Sequence, residues 1–206
     1  MFYTTRIPSW FIKLNSSLVW NIETKEKELY LTFDDGPHET ATPFVLDQLN
    51  RFNAKATFFC VGKNVKTHTN IYQRILDEGH ACGNHTFTHV NGWQTKNSVY
   101  INDIAEAAKY IDSKLFRPPY GRISPFVSKM LRTALHYKII MWHVLSGDFD
   151  KSISPQQCLE NVLLNAKPGS IIVFHDSTKA WERMQFALPA TLKYYAERGF
   201  SFKALH

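Results

Sequence analysis

Several classes of protein are excluded by what this 206-residue chain lacks. It has only three cysteines, Cys60, Cys82 and Cys158, widely spaced and without a Cys-x-x-Cys pair. That argues against a disulfide framework and reads as buried thiols. No apolar run is long enough to cross a bilayer. No basic run exists either: the 24 Lys and Arg are scattered among 18 Asp and Glu, so the net charge of +6 reads as a solvated surface, not a nucleic-acid interface. There is no repeat, low-complexity tract or linker, so one domain is expected. The N-terminus lacks an uninterrupted apolar region and a small-residue cleavage site. Trp10-Phe11-Ile12 and Leu18-Val19-Trp20 are broken by Lys13, Asn15, Ser16 and Ser17. The expectation is that residues 1–27 cap the base of the fold, in preference to forming a short amphipathic anchor, and that the chain is cytoplasmic or peripherally membrane-associated.

What is present is a 44% apolar chain, enough for a globular core, in which short β-prone runs alternate with helical patterns. Strands are predicted at 29–33, 56–61, 80–84, 115–117, 137–144, 170–174 and 200–205. Between them, Thr42-Pro43, Ser124-Pro125 and Ser154-Pro155 each supply a capping hydroxyl followed by a proline suited to the first helical turn. Helical stripes are expected from about 44 to 52, 65 to 78, 101 to 111 and 181 to 197. Seven strands alternating with helices imply parallel βαβ units and right-handed crossovers. Polar residues follow strands one, three, four, five and six. That spread around one rim favours a single-domain α/β barrel over an open sheet, whose far edges would be too distant to meet.

The first strand stops at Asp34-Asp35-Gly36-Pro37. Gly-Pro turns the chain out of the sheet and holds both carboxylates at the strand's carboxyl end, where α/β folds place their sites. Alone, this motif is an ordinary turn. His85 and His89 are four residues apart, a spacing that on a helical turn puts two imidazoles on one face for a shared cation. With Asp35 they form a two-His, one-carboxylate set that leaves positions for water and substrate. Arg117, at a strand end before two prolines, is suited to grip Asp34 and keep it ionised. Tyr120 follows in a tight turn whose backbone N–H suits an oxyanion. Asp148 is placed to orient a histidine. Trp142 either lines a pocket or fills the core. His175, next to Asp176, ends the sixth strand.

Thr32-Phe33-Asp34-Asp35-Gly36-Pro37, His85-Thr86-Phe87-Thr88-His89, Arg117-Pro118-Pro119-Tyr120-Gly121, Trp142 with Asp148, and Ile171-Ile172-Val173-Phe174-His175-Asp176 occur in that order. Together they resemble the five motifs of the polysaccharide deacetylases, the NodB-homology domain of carbohydrate esterase family 4, over about residues 28–205. The resemblance implies a distorted (β/α)7 barrel, TIM-barrel-like, over residues 28–206, and a divalent metal, usually zinc. It implies hydrolysis of the N-acetyl amide of an amino-sugar glycan or glycan precursor, with release of acetate. By motif, Asp34 is the general base, and Asp35, His85 and His89 hold the metal. Arg117 tunes Asp34, Asp148 orients His175, and His175 is the general acid. The Tyr120 N–H joins the oxyanion site, while Trp142 and Val173 shape the acetyl pocket. This chain departs from the pattern at Leu145, where an acid is usual, at Phe149, where Trp is usual, and at Val173, where Leu is usual. Those departures keep open a hydrolase of small amides or cyclic imides. A catalytically silent glycan-binding barrel is the other alternative. Neither a nucleic-acid partner nor a membrane span is expected.

Overall fold

The computed structural model describes residues 4–206. In chain order it runs α1 (Ser9–Leu14), β1 (Glu28–Asp34), α2 (Ala41–Arg51), β2 (Thr57–Cys60), α3 (Gly62–Thr67), α4 (Thr69–Asp77), β3 (Ala81–Asn84), α5 (Asn97–Ala107), β4 (Leu115–Phe116), α6 (Pro125–Thr133), β5 (Lys138–Ile139), β6 (Val144–Leu145), α7 (Pro155–Leu163), β7 (Ile171–His175), α8 (Trp181–Ala196) and β8 (Ser201–Phe202). The strands are ordered β5-β4-β3-β2-β1-β7-β6, and β8 pairs with the start of β1. Every ladder is parallel. This is the distorted (β/α)7 barrel expected from the motif pattern.

β1 sits at the centre because both of its faces are apolar enough to bury. Leu29, Leu31 and Phe33 point to a core shared with α2 and α8. The alternate residue Tyr30 joins Phe59, Leu115, Ile140, Ile171 and Leu205 in a second apolar layer. A parallel strand covered on both sides has this near-continuous burial. Thr32 and Asp34 follow Tyr30 on the same face by the two-residue period of a strand. They lie in register with Val173 and His175 of β7. An apolar floor therefore supports a polar layer at the carboxyl ends of the strands.

The predicted fifth strand, 137–144, is split. Lys138–Ile139 pairs with β4 and Val144–Leu145 pairs with β7, so one stretch of chain supplies both ends of the sheet path. Its middle is diverted. The Ile140 and Met141 carbonyls accept from Arg117, Met141 N–H donates to the Val19 carbonyl at 2.7 Å, and the His143 carbonyl accepts from Ile7 N–H. The N-terminal segment, expected as a cap over the base, bonds to both ends of the sheet path: Val19 N–H donates to Ile139, and the Thr5 carbonyl accepts from Leu145 N–H at 2.8 Å. Residues 1–3 of that segment lie outside the described residues.

Two helix expectations are also corrected. The stripe from 65 to 78 is two helices, broken at His68 (φ −119°, ψ 49°). Thr42 does not cap its helix; its hydroxyl is used at the site instead. Ser124 and Ser154 do cap theirs, accepting from Val127 and Gln157 N–H. All three cysteines are buried and unpaired.

Candidate active site

The polar layer is built around a buried ion pair. Asp34 is 4% exposed, and Arg117 is fully buried. Arg117 Nη1 donates to Asp34 Oδ1 at 2.7 Å and to Thr32 Oγ1 at 2.8 Å. Its Nε and Nη2 donate to the Ile140 and Met141 carbonyls, and the guanidinium lies 4.1 Å from the Phe59 ring centroid. Burial lowers the Arg117 pKa and Asp34 opposes that shift. A guanidinium nevertheless stays charged in such a setting. Asp34 is therefore held in one orientation by a fixed cation, with the strand break at 140–143 supplying two further acceptors to that cation.

Asp35 follows with φ 83°, a left-handed conformation that swings its side chain away from that of Asp34. Its Oδ1 lies 3.1 Å from His89 Nε2 and 3.8 Å from His85 Nε2. The ligating atoms of the three residues all fall within 4.8 Å of one another. His85 Nδ1 is 2.7 Å from the Arg117 carbonyl, to which it donates, so its Nε2 presents a lone pair to the cluster. Burial brings the His85 pKa down to about 4, which keeps that lone pair free. Burial alone would raise the Asp35 pKa, but His89, His175 and His85 hold it well below the usual carboxylate range. Asp35 Oδ1 is buried yet makes no hydrogen bond. This convergence fits a cation: two imidazole nitrogens and one carboxylate oxygen within reach of one point suit a divalent metal with room for further ligands.

The His85–His89 segment is not the helical turn expected from the spacing. It is a loop in which Thr86 (φ 63°) and His89 (φ 59°) are left-handed. Asp103 on α5 clamps it, accepting from Phe87 N–H at 2.8 Å, Thr88 N–H at 2.9 Å and the Thr88 hydroxyl at 2.8 Å. Asn84 Oδ1 accepts from Thr86 N–H at 2.8 Å. The imidazoles meet because side-chain acceptors shape the loop, with ring centroids 5.0 Å apart.

On the other side of Asp34, β7 places His175 as its register partner. Both oxygens of Asp148 hold His175, one accepting from its backbone N–H at 2.6 Å and the other from Nδ1 at 2.7 Å. Burial would lower the His175 pKa, but Asp148 outweighs it, with Asp35 and Asp34 adding, and the value is pushed up to about 10. Asp148 in turn is anchored through its carbonyl by Arg183 Nε at 2.7 Å. Phe149, standing where Trp is usual, sets its ring edge-on to His175 with centroids 5.3 Å apart. Leu145 is buried in β6, paired with Val173.

Tyr120 takes φ 59°, and its ring stands edge-on to His89 at 4.7 Å. Trp142 is half-buried and packs on Gly121, where a Cβ would lie 2.6 Å from the indole. Val173 shares the inward face of β7 with His175. The structure thus gathers Asp34, Asp35, His85, His89, Arg117, Tyr120, Trp142, Asp148, Val173 and His175 at one end of the barrel. Sequence reasoning missed Thr32, Asp103 and the Asp176–Thr42 pair. Asp176 accepts from Gly36 N–H at 3.0 Å and from the Thr42 hydroxyl at 2.5 Å, and so pins the turn after Asp35. Burial pushes its carboxyl up to about 8. Its sequence signals were its adjacency to His175 and its place at the end of the fifth motif.

Known proteins resemble this chain in sequence and fold. Residues 21–138 match the family model described as Polysaccharide deacetylase. A peptidoglycan-N-acetylglucosamine deacetylase of Bacillus cereus is 32% identical over 90% of this chain and 89% of its own length. A chitooligosaccharide deacetylase of Azorhizobium caulinodans is 33% identical over 75% of this chain and 76% of its own. Among solved structures, the Bc1960 peptidoglycan N-acetylglucosamine deacetylase superposes with a TM-score of 0.88 at 32% identity, covering 95% of this chain and 94% of that one. With a family model matching more than half its length and relatives of this extent, the chain belongs to the polysaccharide deacetylase family.

Proposed function

We propose that this hydrolase removes the acetyl group from N-acetylated amino sugars of a glycan, of peptidoglycan or chito-oligosaccharide type. One observation carries the reading. Asp34 and His175, a carboxylate and an imidazole, are register partners on adjacent strands beside the Asp35, His85 and His89 cluster. The fixed buried partners of both residues, and relatives named for glycan deacetylation, support it.

Asp35, His85 and His89 would hold a divalent cation, for which two nitrogens and one oxygen favour Zn²⁺. When bound, it supplies Lewis-acid polarisation of the acetamide carbonyl and acidifies water. The chain's own groups do the rest. Asp34, held by the Arg117 guanidinium, takes a proton from the attacking water as its oxygen bonds to the carbonyl carbon. The Tyr120 backbone N–H faces the carbonyl oxygen as negative charge develops there. Asp148 holds His175 through Nδ1, leaving the Nε2 proton for the sugar nitrogen as the C–N bond breaks. Trp142 and Val173 wall the acetyl group. The products are acetate and the free amine.

Phe149 favours one competing reading, a hydrolase of small amides or cyclic imides, because it changes the surroundings of His175, while Leu145 leaves no acid beside Val173. Purified Zn²⁺-loaded protein should release acetate from tetra-N-acetylchitotetraose or peptidoglycan fragments and leave a cyclic imide intact. Imide hydrolysis with no acetate from any glycan would overturn the proposed substrate.

A further inference from the structure

Tryptophan is ordinarily a core residue, and one left in water usually lacks fixed geometry. Trp93 breaks that pattern. It is 64% exposed, yet it is held from three directions. Its backbone N–H donates to Asn91 Oδ1 at 2.9 Å, its indole Nε1 donates to the Ile123 carbonyl at 3.2 Å, and Arg122 covers one face, its guanidinium carbon 4.0 Å from the ring centroid. Gly92 beside it touches the Arg122 backbone so closely that a Cβ would sit 2.3 Å from the carbonyl oxygen. The loops after β3 and β4 are thus locked together, with a rigid indole on their outer side.

This indole is continuous with the site. His89 touches the ring of Tyr120, Gly121 follows under Trp142, and Arg122 comes next and carries Trp93. The polar partners of Trp93 are satisfied within the two loops, so what remains on offer is a flat apolar face flanked by a guanidinium with N–H groups to spare. A pyranose ring matches that offer: its axial C–H groups pack on an aromatic face, and its hydroxyls accept from the guanidinium.

We propose that the open face of Trp93 is a stacking platform for a sugar ring of the glycan beyond the acetylated residue, with Arg122 hydrogen-bonding the same sugar. The identity of the ligand rests on the deacetylase reading above. The platform makes the enzyme favour chains over single sugars, because its free energy is gained only when a second part of the substrate reaches it.

Calorimetric titration of tetra-N-acetylchitotetraose and of the single sugar N-acetylglucosamine into Zn²⁺-loaded Asp34→Asn protein, with turnover suppressed, tests this. Adding Trp93→Ala should weaken the tetramer by about tenfold and the single sugar by much less, and Trp93→Phe should regain most of the loss. Tetramer affinity unchanged by Trp93→Ala, equal weakening of the tetramer and the single sugar, or no tetramer binding to the Asp34→Asn parent would each overturn the platform. If Trp93 governs tetramer binding but the wild-type enzyme releases no acetate, the platform stands and the deacetylase reading falls. Acetate release with a binding curve indifferent to Trp93 overturns the platform alone.

Discussion

Replacing Asp34 by Asn should lower kcat for acetate release by about 10²–10⁴-fold with little change in bound zinc. The substitution keeps the shape of the side chain and a carbonyl oxygen able to accept from Arg117 Nη1, so orientation survives. What is lost is the basicity needed to take a proton from water. The guanidinium keeps its bonds to Thr32, Ile140 and Met141, which limits the structural damage. Zinc content and melting temperature measured beside kcat separate lost chemistry from lost structure. An Asp34→Asn protein turning over at the wild-type rate would remove the carboxylate from the base role.

Replacing Arg117 by Met should destabilise the protein by about 3–5 kcal/mol, because it strands a buried carboxylate. That is a large share of the roughly 5–15 kcal/mol by which domains are stable. The Asp34 carboxyl would be left without a counter-charge, and the Thr32 hydroxyl and the Ile140 and Met141 carbonyls would lose a donor. Urea unfolding reads the loss directly. The double variant Asp34→Leu with Arg117→Met should recover much of that stability, since apolar groups of similar size often replace a buried pair at no net cost. It should remain inactive. A single variant within about 1 kcal/mol of wild type, as for an exposed pair, would mean that the pair is a surface contact and not the centre of the polar layer.

The parts of this site that could be read in the sequence are those carried by local chemistry. An apolar run cut off at Asp34-Asp35-Gly36-Pro37 announces a strand end, and Arg117 before two prolines does the same. Ser124 and Ser154 before proline gave helix starts that the coordinates reproduce. Thr42, with the same local signature, was misread because its hydroxyl bonds across 134 residues to Asp176, and propensity carries no record of such a partner. The His85–His89 spacing suggested one cation site but the wrong backbone. Two left-handed residues there depend on Asp103, an acid indistinguishable in sequence from any other on a helix. The split of the fifth strand was invisible for the same reason: its middle serves Arg117 and Val19, residues remote in the chain.

Asp35, His85 and His89 are expected to hold a cation beside Asp34 and His175. Zinc titration of metal-stripped protein, followed by anomalous diffraction from the loaded crystal, addresses it most directly. One tightly bound ion per chain is predicted, about 2.0–2.2 Å from Asp35 Oδ1 and from Nε2 of both histidines, and lost in His89→Ala. An ion seated elsewhere, or zinc affinity undisturbed by removing His89, would contradict the account.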